Sequence, residues 1–225
     1  MMNRYALVGL LALLVGCGDT KPGTDETNDT TTAADTTPLD KPLSVDPASQ
    51  DADDWLDDRY DPEHGTITLE VTTGGSTTIQ KKYFTDHGAR EALHWFYGGR
   101  EAEGAVYRSL VENGTITYRG PADTAVMRQP WRADPAVTLP NFRHMTDTMR
   151  GMFALRDLPS KTILGRESQG YQMTIGETVS QIWVWEGIMM QGEIQGNEAK
   201  GIDPMLVRVT AIDTTRPSDA LFPVE

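Results

Sequence analysis

Residues Ala105-Val-Tyr-Arg-Ser-Leu-Val-Glu112 and Thr115-Ile-Thr-Tyr-Arg119, joined by Asn113-Gly114, decide the fold class. Asn-Gly accepts positive φ at both central positions of a two-residue turn, the geometry that matches the twist of paired antiparallel strands. The segment therefore reads as a β-hairpin, and the pattern continues outward from it. Upstream, Thr66–Val71 alternates with Ile67, Leu69 and Val71 on one face, and Thr78–Phe84 follows after Gly74-Gly75. Ala89–Phe96 puts Leu93 and Trp95 on one face, His94 and Phe96 on the other. Downstream, Thr124–Arg128 reads as a further strand. One segment, Asn141–Phe153, has Phe142, Met145, Met149 and Met152 near helical spacing, with Pro140 just before it. Strand patterns then resume at Lys161–Leu164, Tyr171–Ile175, Val179–Met190, Glu193–Ile194 and Met205–Ile212, separated by glycines. Consecutive strands with short turns predict a mainly β (α+β) antiparallel meander, with no internal repeat.

The chain has 225 residues, with 20 Lys+Arg against 33 Asp+Glu and a formal net charge of −13. Nucleic-acid binders need clustered positive charge, so that class is excluded. A single cysteine rules out an intramolecular disulfide and argues against a cysteine-based zinc site. Arg4 precedes an apolar run, Tyr5–Leu14, too short for a permanent span and suited to a signal peptide. The run ends in Leu14-Val15-Gly16-Cys17, which resembles a bacterial lipobox. The expected organisation is a lipoprotein signal peptide at 1–16, then a mature chain beginning at Cys17, which carries fatty-acyl chains such as palmitate. Residues 17–64 hold 14 acids and 3 bases, net −11, and eight threonines fall between Gly18 and Leu43. So polar a stretch has little to bury, and it reads as a disordered acidic tether. The domain proper is expected at 65–225, long enough to bury about 70% of its unfolded surface without staples.

Three short motifs carry a resemblance: Tyr83-Phe84-Thr-Asp86-His-Gly88-Ala89-Arg90, Ile182-Trp-Val-Trp-Glu186-Gly187-Ile188, and Asp219-Ala-Leu-Phe222-Pro223. Together they look like a family of bacterial exported proteins related to the outer-membrane lipoprotein-sorting (LolA/LolB-like) fold, over about residues 65–225. The resemblance implies a curved antiparallel sheet, an open half-barrel with one or a few covering helices on its concave side. It also implies acyl chains held between sheet and helices. Two departures stand out: Ser168 lies near where some relatives have a cysteine, and only Asn141–Phe153 reads clearly as helix.

Catalytic motifs are absent: no G-x-S-x-G, H-E-x-x-H, P-loop or G-x-G-x-x-G occurs. His64, His87, His94 and His144 lack metal-ligand spacing, and Asp51–Asp61 departs from the EF-hand pattern at Leu56 and Pro62. No enzyme activity, cofactor or metal is expected. The lining expected for an apolar ligand is Trp183, Trp185, Met189, Met149 and Met145, since aromatic and methionine surfaces adapt to acyl chains; the same residues fit a packed core equally well. Trp183, Trp185 and Met189 fall on alternating positions apart from the Gly187 break. Two functions remain open. One is an envelope lipoprotein, anchored by Cys17 to a membrane (the outer one favoured by Gly18 after the cysteine), that binds a lipid or lipoprotein acyl chain in the periplasm. The other is an envelope scaffold that meets a protein partner and takes no small ligand.

Overall fold

The structure, a computed structural model, describes residues 58–98, 100–120, 125–131, 139–175, 178–196 and 203–224. Cys17, the signal-peptide expectation and most of the tether lie outside these residues. Eleven strands form one antiparallel sheet: β1 (Gly65–Thr73), β2 (Ser76–Thr85), β3 (Arg90–Tyr97), β4 (Tyr107–Glu112), β5 (Thr115–Arg119), β6 (Met127–Pro130), β7 (Arg156–Ile163), β8 (Arg166–Ile175), β9 (Thr178–Trp185), β10 (Ile188–Ile194) and β11 (Met205–Asp213). The order across the sheet is β6-β5-β4-β3-β2-β1-β11-β10-β9-β8-β7. Two meanders are thus sewn together by β1 against β11, and the half-barrel stays open at the β6 and β7 edges. The only α-helix among the described residues, α1 (Asp147–Met152), lies in the connection between the halves.

Register assigns side chains to faces, because directly opposed residues of antiparallel strands point the same way. One face carries Ile67, Leu69 and Val71 of β1, paired with Ile212, Val209 and Val207 of β11. It continues through Gly192 of β10 to Ile182 of β9 and Tyr171 of β8. This inner face is the one that α1 covers. The central core joins Ile67, Leu69, Val71, Val207 and Val209 to Phe84, Ile188, Met190 and Tyr60. The opposite, outer face of β2–β4 is covered by the end of the chain, where Phe222 packs on Tyr83 and Ala92. Arg90 lies 4.1 Å over the Phe222 ring and pairs with Glu112 and Asp219.

Two expectations are corrected and a third is sharpened. The helix expected over Asn141–Phe153 begins only at Asp147. Asn141 Oδ1 accepts from the Arg143 and His144 amides, making 141–144 a turn, and Thr146 caps the helix by accepting from Met149 N. The Gly187 break expected within Val179–Met190 is a full turn between two strands, because Glu186 and Gly187 both adopt positive φ (48° and 80°) and turn the chain. Residues 58–64, grouped by composition with the tether, pack onto the sheet: Tyr60 is 7% exposed and its amide donates to the His87 carbonyl.

Candidate functional site

The inner face has two chemically different regions. Under α1, Met149, Phe153, Met173, Ile182 and Val184 form a buried cluster, with Met145 and Met189 packed at its margin. Phe142 stacks on Tyr171 at 5.4 Å between centroids. Met145, Met149 and Met189 thus belong to one cluster. The structure does not bring Trp183 to them, and Trp185 meets Met189 instead on the central core around Ile188 and Met190. Met189 pairs with Val184 across the β9–β10 turn, and a bulge follows between Met189 and Gln191. Val184 and Met189 therefore share the inner face and Trp183 takes the other, while Trp185, opposite Ile188, packs at the edge of the central core. Trp183 donates from Nε1 to the Pro159 carbonyl (3.2 Å) and carries Lys161 Nζ over its ring at 3.3 Å; Arg166 lies over Trp185. Both rings are capped by cations, and their different surroundings are a consequence of one turn and one bulge that strand alternation alone cannot foresee.

The second region is aromatic and lies on β3–β6. The register rows Gln80–Trp95–Tyr107 and Ser109–Tyr118–Met127 are on the inner face, as is Tyr97 opposite Thr78. Trp95 and Tyr107 rings are 5.7 Å apart, and Tyr107 and Tyr118 stack at 6.4 Å. Tyr107 is 8% exposed, whereas Tyr97 and Met127 are each 48% exposed. The patch thus runs from a buried floor to solvent. Trp95 Nε1 and the Tyr107 hydroxyl are both buried without a hydrogen-bond partner. Burial pushes the Tyr107 phenol up to about 12; Ser109 beside it opposes the rise and Tyr118 adds to it.

An ionic rim separates these regions from the strand ends. Glu91, 9% exposed, accepts from the Tyr60 hydroxyl at 2.6 Å and lies 3.5 Å from Lys82 Nζ and 3.6 Å from Arg59. Burial alone would raise its pKa, but Lys82, Arg59 and the Tyr60 hydrogen bond outweigh it and hold it at about 2. Arg143 reaches Asp58, Asp61 and the Tyr60 carbonyl, and His144 Nε2 lies 2.8 Å from Asp58. The hydrogen bond to His144 is the main reason the Asp58 carboxyl sits below its usual range. His94, on the outer face between Tyr83 and Phe96, is buried and its pKa is depressed by that burial. Among the described residues no group of His, Cys, Asp and Glu could hold a metal, and no helix is long and apolar enough to cross a membrane.

No family model matches the chain, and no curated protein is similar to it in sequence. Solved structures do match. An uncharacterized conserved protein from Thermus thermophilus superposes with a TM-score of 0.51 at 8% identity, over 73% of this chain and 88% of that one. The Pseudomonas aeruginosa MucA/MucB complex gives 0.49 at 17% identity, over 77% of this chain and 61% of that one. A LolA superfamily protein from Nitrosomonas europaea gives 0.36 at 10% identity, over 76% and 94%. At such identities the likeness is one of fold.

Proposed function

We propose that this chain is a lipid-anchored protein of the bacterial envelope, facing the periplasm, whose half-barrel binds a hydrophobic ligand on its inner face. One observation carries the reading. The inner face is covered by α1 over β8–β9, while on β3–β6 the same face exposes Tyr97 and Met127 beside Trp95, Tyr107 and Tyr118. Apolar surface gathered on one face of a sheet and reached from solvent is where soluble proteins take up apolar partners. Met145, Met149 and Met189 form the other wall and supply side chains that repack around irregular chains. Acylated Cys17 supplies the anchor, since two acyl chains hold a protein stably on a bilayer, and the acidic segment after it gives the domain reach.

A second reading has its own observation. The methionine cluster under α1 is packed, with Met173 fully buried, and a packed core beside an exposed patch also suits an envelope protein as partner. Two measurements separate the readings. The full chain carrying Cys17→Ser, purified without detergent, is examined by native mass spectrometry, then titrated with palmitate while tryptophan fluorescence is followed. Co-purified lipid or a saturable fluorescence change supports the carrier. A clean apo mass with no response leaves the scaffold. The same substitution tests the anchor: the variant should leave the membrane fraction after a carbonate wash, and if it fractionates like the parent, lipidation is not what holds it.

A further inference from the structure

Buried polar atoms in native proteins nearly always have partners, and each orphan asks for a reason. Trp95 Nε1, the Tyr107 hydroxyl and Trp131 Nε1 are such orphans. Trp131 stands apart: its amide bonds the Gly114 carbonyl at the hairpin end, away from the Tyr118–Met127 row. The other two are a cross-strand pair on the inner face with their rings 5.7 Å apart. Phenylalanine at both positions would offer similar ring area with no unpaired donor to desolvate, so packing alone does not account for them. They lie at the buried end of a patch whose outer end, Tyr97 and Met127, is half in solvent.

We propose that Trp95 Nε1 and the Tyr107 hydroxyl form a donor pair that binds the acyl carbonyl oxygen of an amphiphilic lipid, whose chain lies on the inner face. The proposal rests on the ligand-binding reading above and names the polar group that the ligand presents. Both groups are donors, so the ligand must bring an acceptor. A phenol held at about 12 stays protonated at any physiological pH and keeps donating. The cation nearest in register on this face, Lys82, is engaged by Glu91, and Arg108 and Arg119 pair across the opposite face. Two neutral donors with no free cation on this face among the described residues suit a carbonyl better than a phosphate, whose charge calls for arginine or lysine. The carbonyl could come from a free fatty acid or from a lipid ester, and the test distinguishes the two.

The full chain with Cys17→Ser is titrated below micelle concentrations with three probes of equal chain length. Palmitoyl lysophosphatidylcholine has an ester carbonyl, hexadecylphosphocholine has the same head group and no carbonyl, and palmitate has a free carboxylate. Tyr107→Phe, which removes one atom, is the deciding variant, and Trp95→Phe accompanies it. A hydrogen bond lost from the complex weakens binding by about five- to tenfold. The parent is expected to prefer at least one carbonyl probe to hexadecylphosphocholine by about tenfold, and each variant to lose that preference while holding the alkyl probe within about twofold. The melting temperature of ligand-free Tyr107→Phe should not fall, because the removed hydroxyl had no partner. Loss confined to palmitate identifies a free fatty acid, and loss confined to the lysolipid identifies an ester. Equal affinity for all three probes in the parent and both variants overturns the donor pair and leaves the ligand-binding reading intact. Failure of every probe to bind the parent overturns both.

Discussion

Replacing Glu91 by Gln removes the charge that holds residues 58–60 against the sheet, and its effect on stability can be worked from the structure. In the folded protein the carboxyl titrates at about 2, against 4.5 for the free group. A depressed folded-state pKa means that the unfolded chain takes up the proton first. The stabilisation is therefore complete above about 4.5 and drains away as pH falls toward about 2. A difference of about 2.5 units corresponds to roughly 3.4 kcal/mol. Lys82 and Arg59 keep 30% and 19% of their side chains in solvent, so screening reduces this to about 2–3 kcal/mol. At pH 7 the variant should lose that amount, about 5–10 °C in melting temperature for a domain of this size, because two cations lose their buried counter-charge. The assay is urea unfolding of parent and variant at pH 7, 5, 3.5 and 2.5. Other carboxylates titrate in both proteins, so the quantity read is the difference between them, which should shrink steadily below pH 4.5. A difference that stays constant from pH 7 to 2.5, or a variant as stable as the parent at pH 7, would refute the reasoning.

Gly187→Ala would place a Cβ 2.0 Å from the Arg59 carbonyl oxygen at a φ of +80°; the expected cost is about 3 kcal/mol, with proteolysis near residues 58–64 in advance of global unfolding. Phe222→Ala removes a fully buried ring from the outer face and should cost about 3–5 kcal/mol by chemical denaturation. The double substitution Tyr97→Ser with Met127→Ser touches half-exposed side chains, so stability should change by less than about 1 kcal/mol while palmitate affinity falls. Trp183→Ala, on the opposite face, should leave that affinity within about twofold; loss of binding there would return the ligand to the face the sequence reading chose.

The hairpin at 107–119 was legible because its register is local: Asn113-Gly114 turns the chain, and Glu112 must then face Thr115. Alternation placed Leu93 and Trp95 on one face and His94 and Phe96 on the other, and the pairing agrees. Where the reading went astray, non-local or unusual backbone decided the outcome. Glu186 at positive φ gives no turn signal of its own, because a side chain there is uncommon, so Gly187 read as a break in a strand and not as a turn between two. Asn141 draws two amides onto its side chain and delays a helix that residue spacing alone would start earlier. The aromatic row was not legible at all. Tyr107 meets Trp95 through the pairing of β3 with β4 across the connection 98–106, and nothing in so long a connection sets register.

The same contrast explains what the resemblance could carry. Its three motifs converge on one rim. A Cβ at Gly88 would lie 2.8 Å from the Tyr60 ring, and one at Gly187 would strike the Arg59 carbonyl. Asp61 N donates to the Glu186 carbonyl, and Asp219 of the third motif is held by Arg90, which closes the first. The motif residues are thus those that let residues 58–61 and the chain's end close against the strand turns. A protein needs that closure to keep the half-barrel folded whatever it binds, so the motifs imply architecture and stay silent on cargo. The residues that would read cargo, Trp95 and Tyr107, stand on strands between the motifs, where a different pair would leave rim and fold unchanged. On the proposed reading, fold and ligand are therefore encoded in separable parts of this chain, and an inner face with different donors on the same rim should take a different ligand.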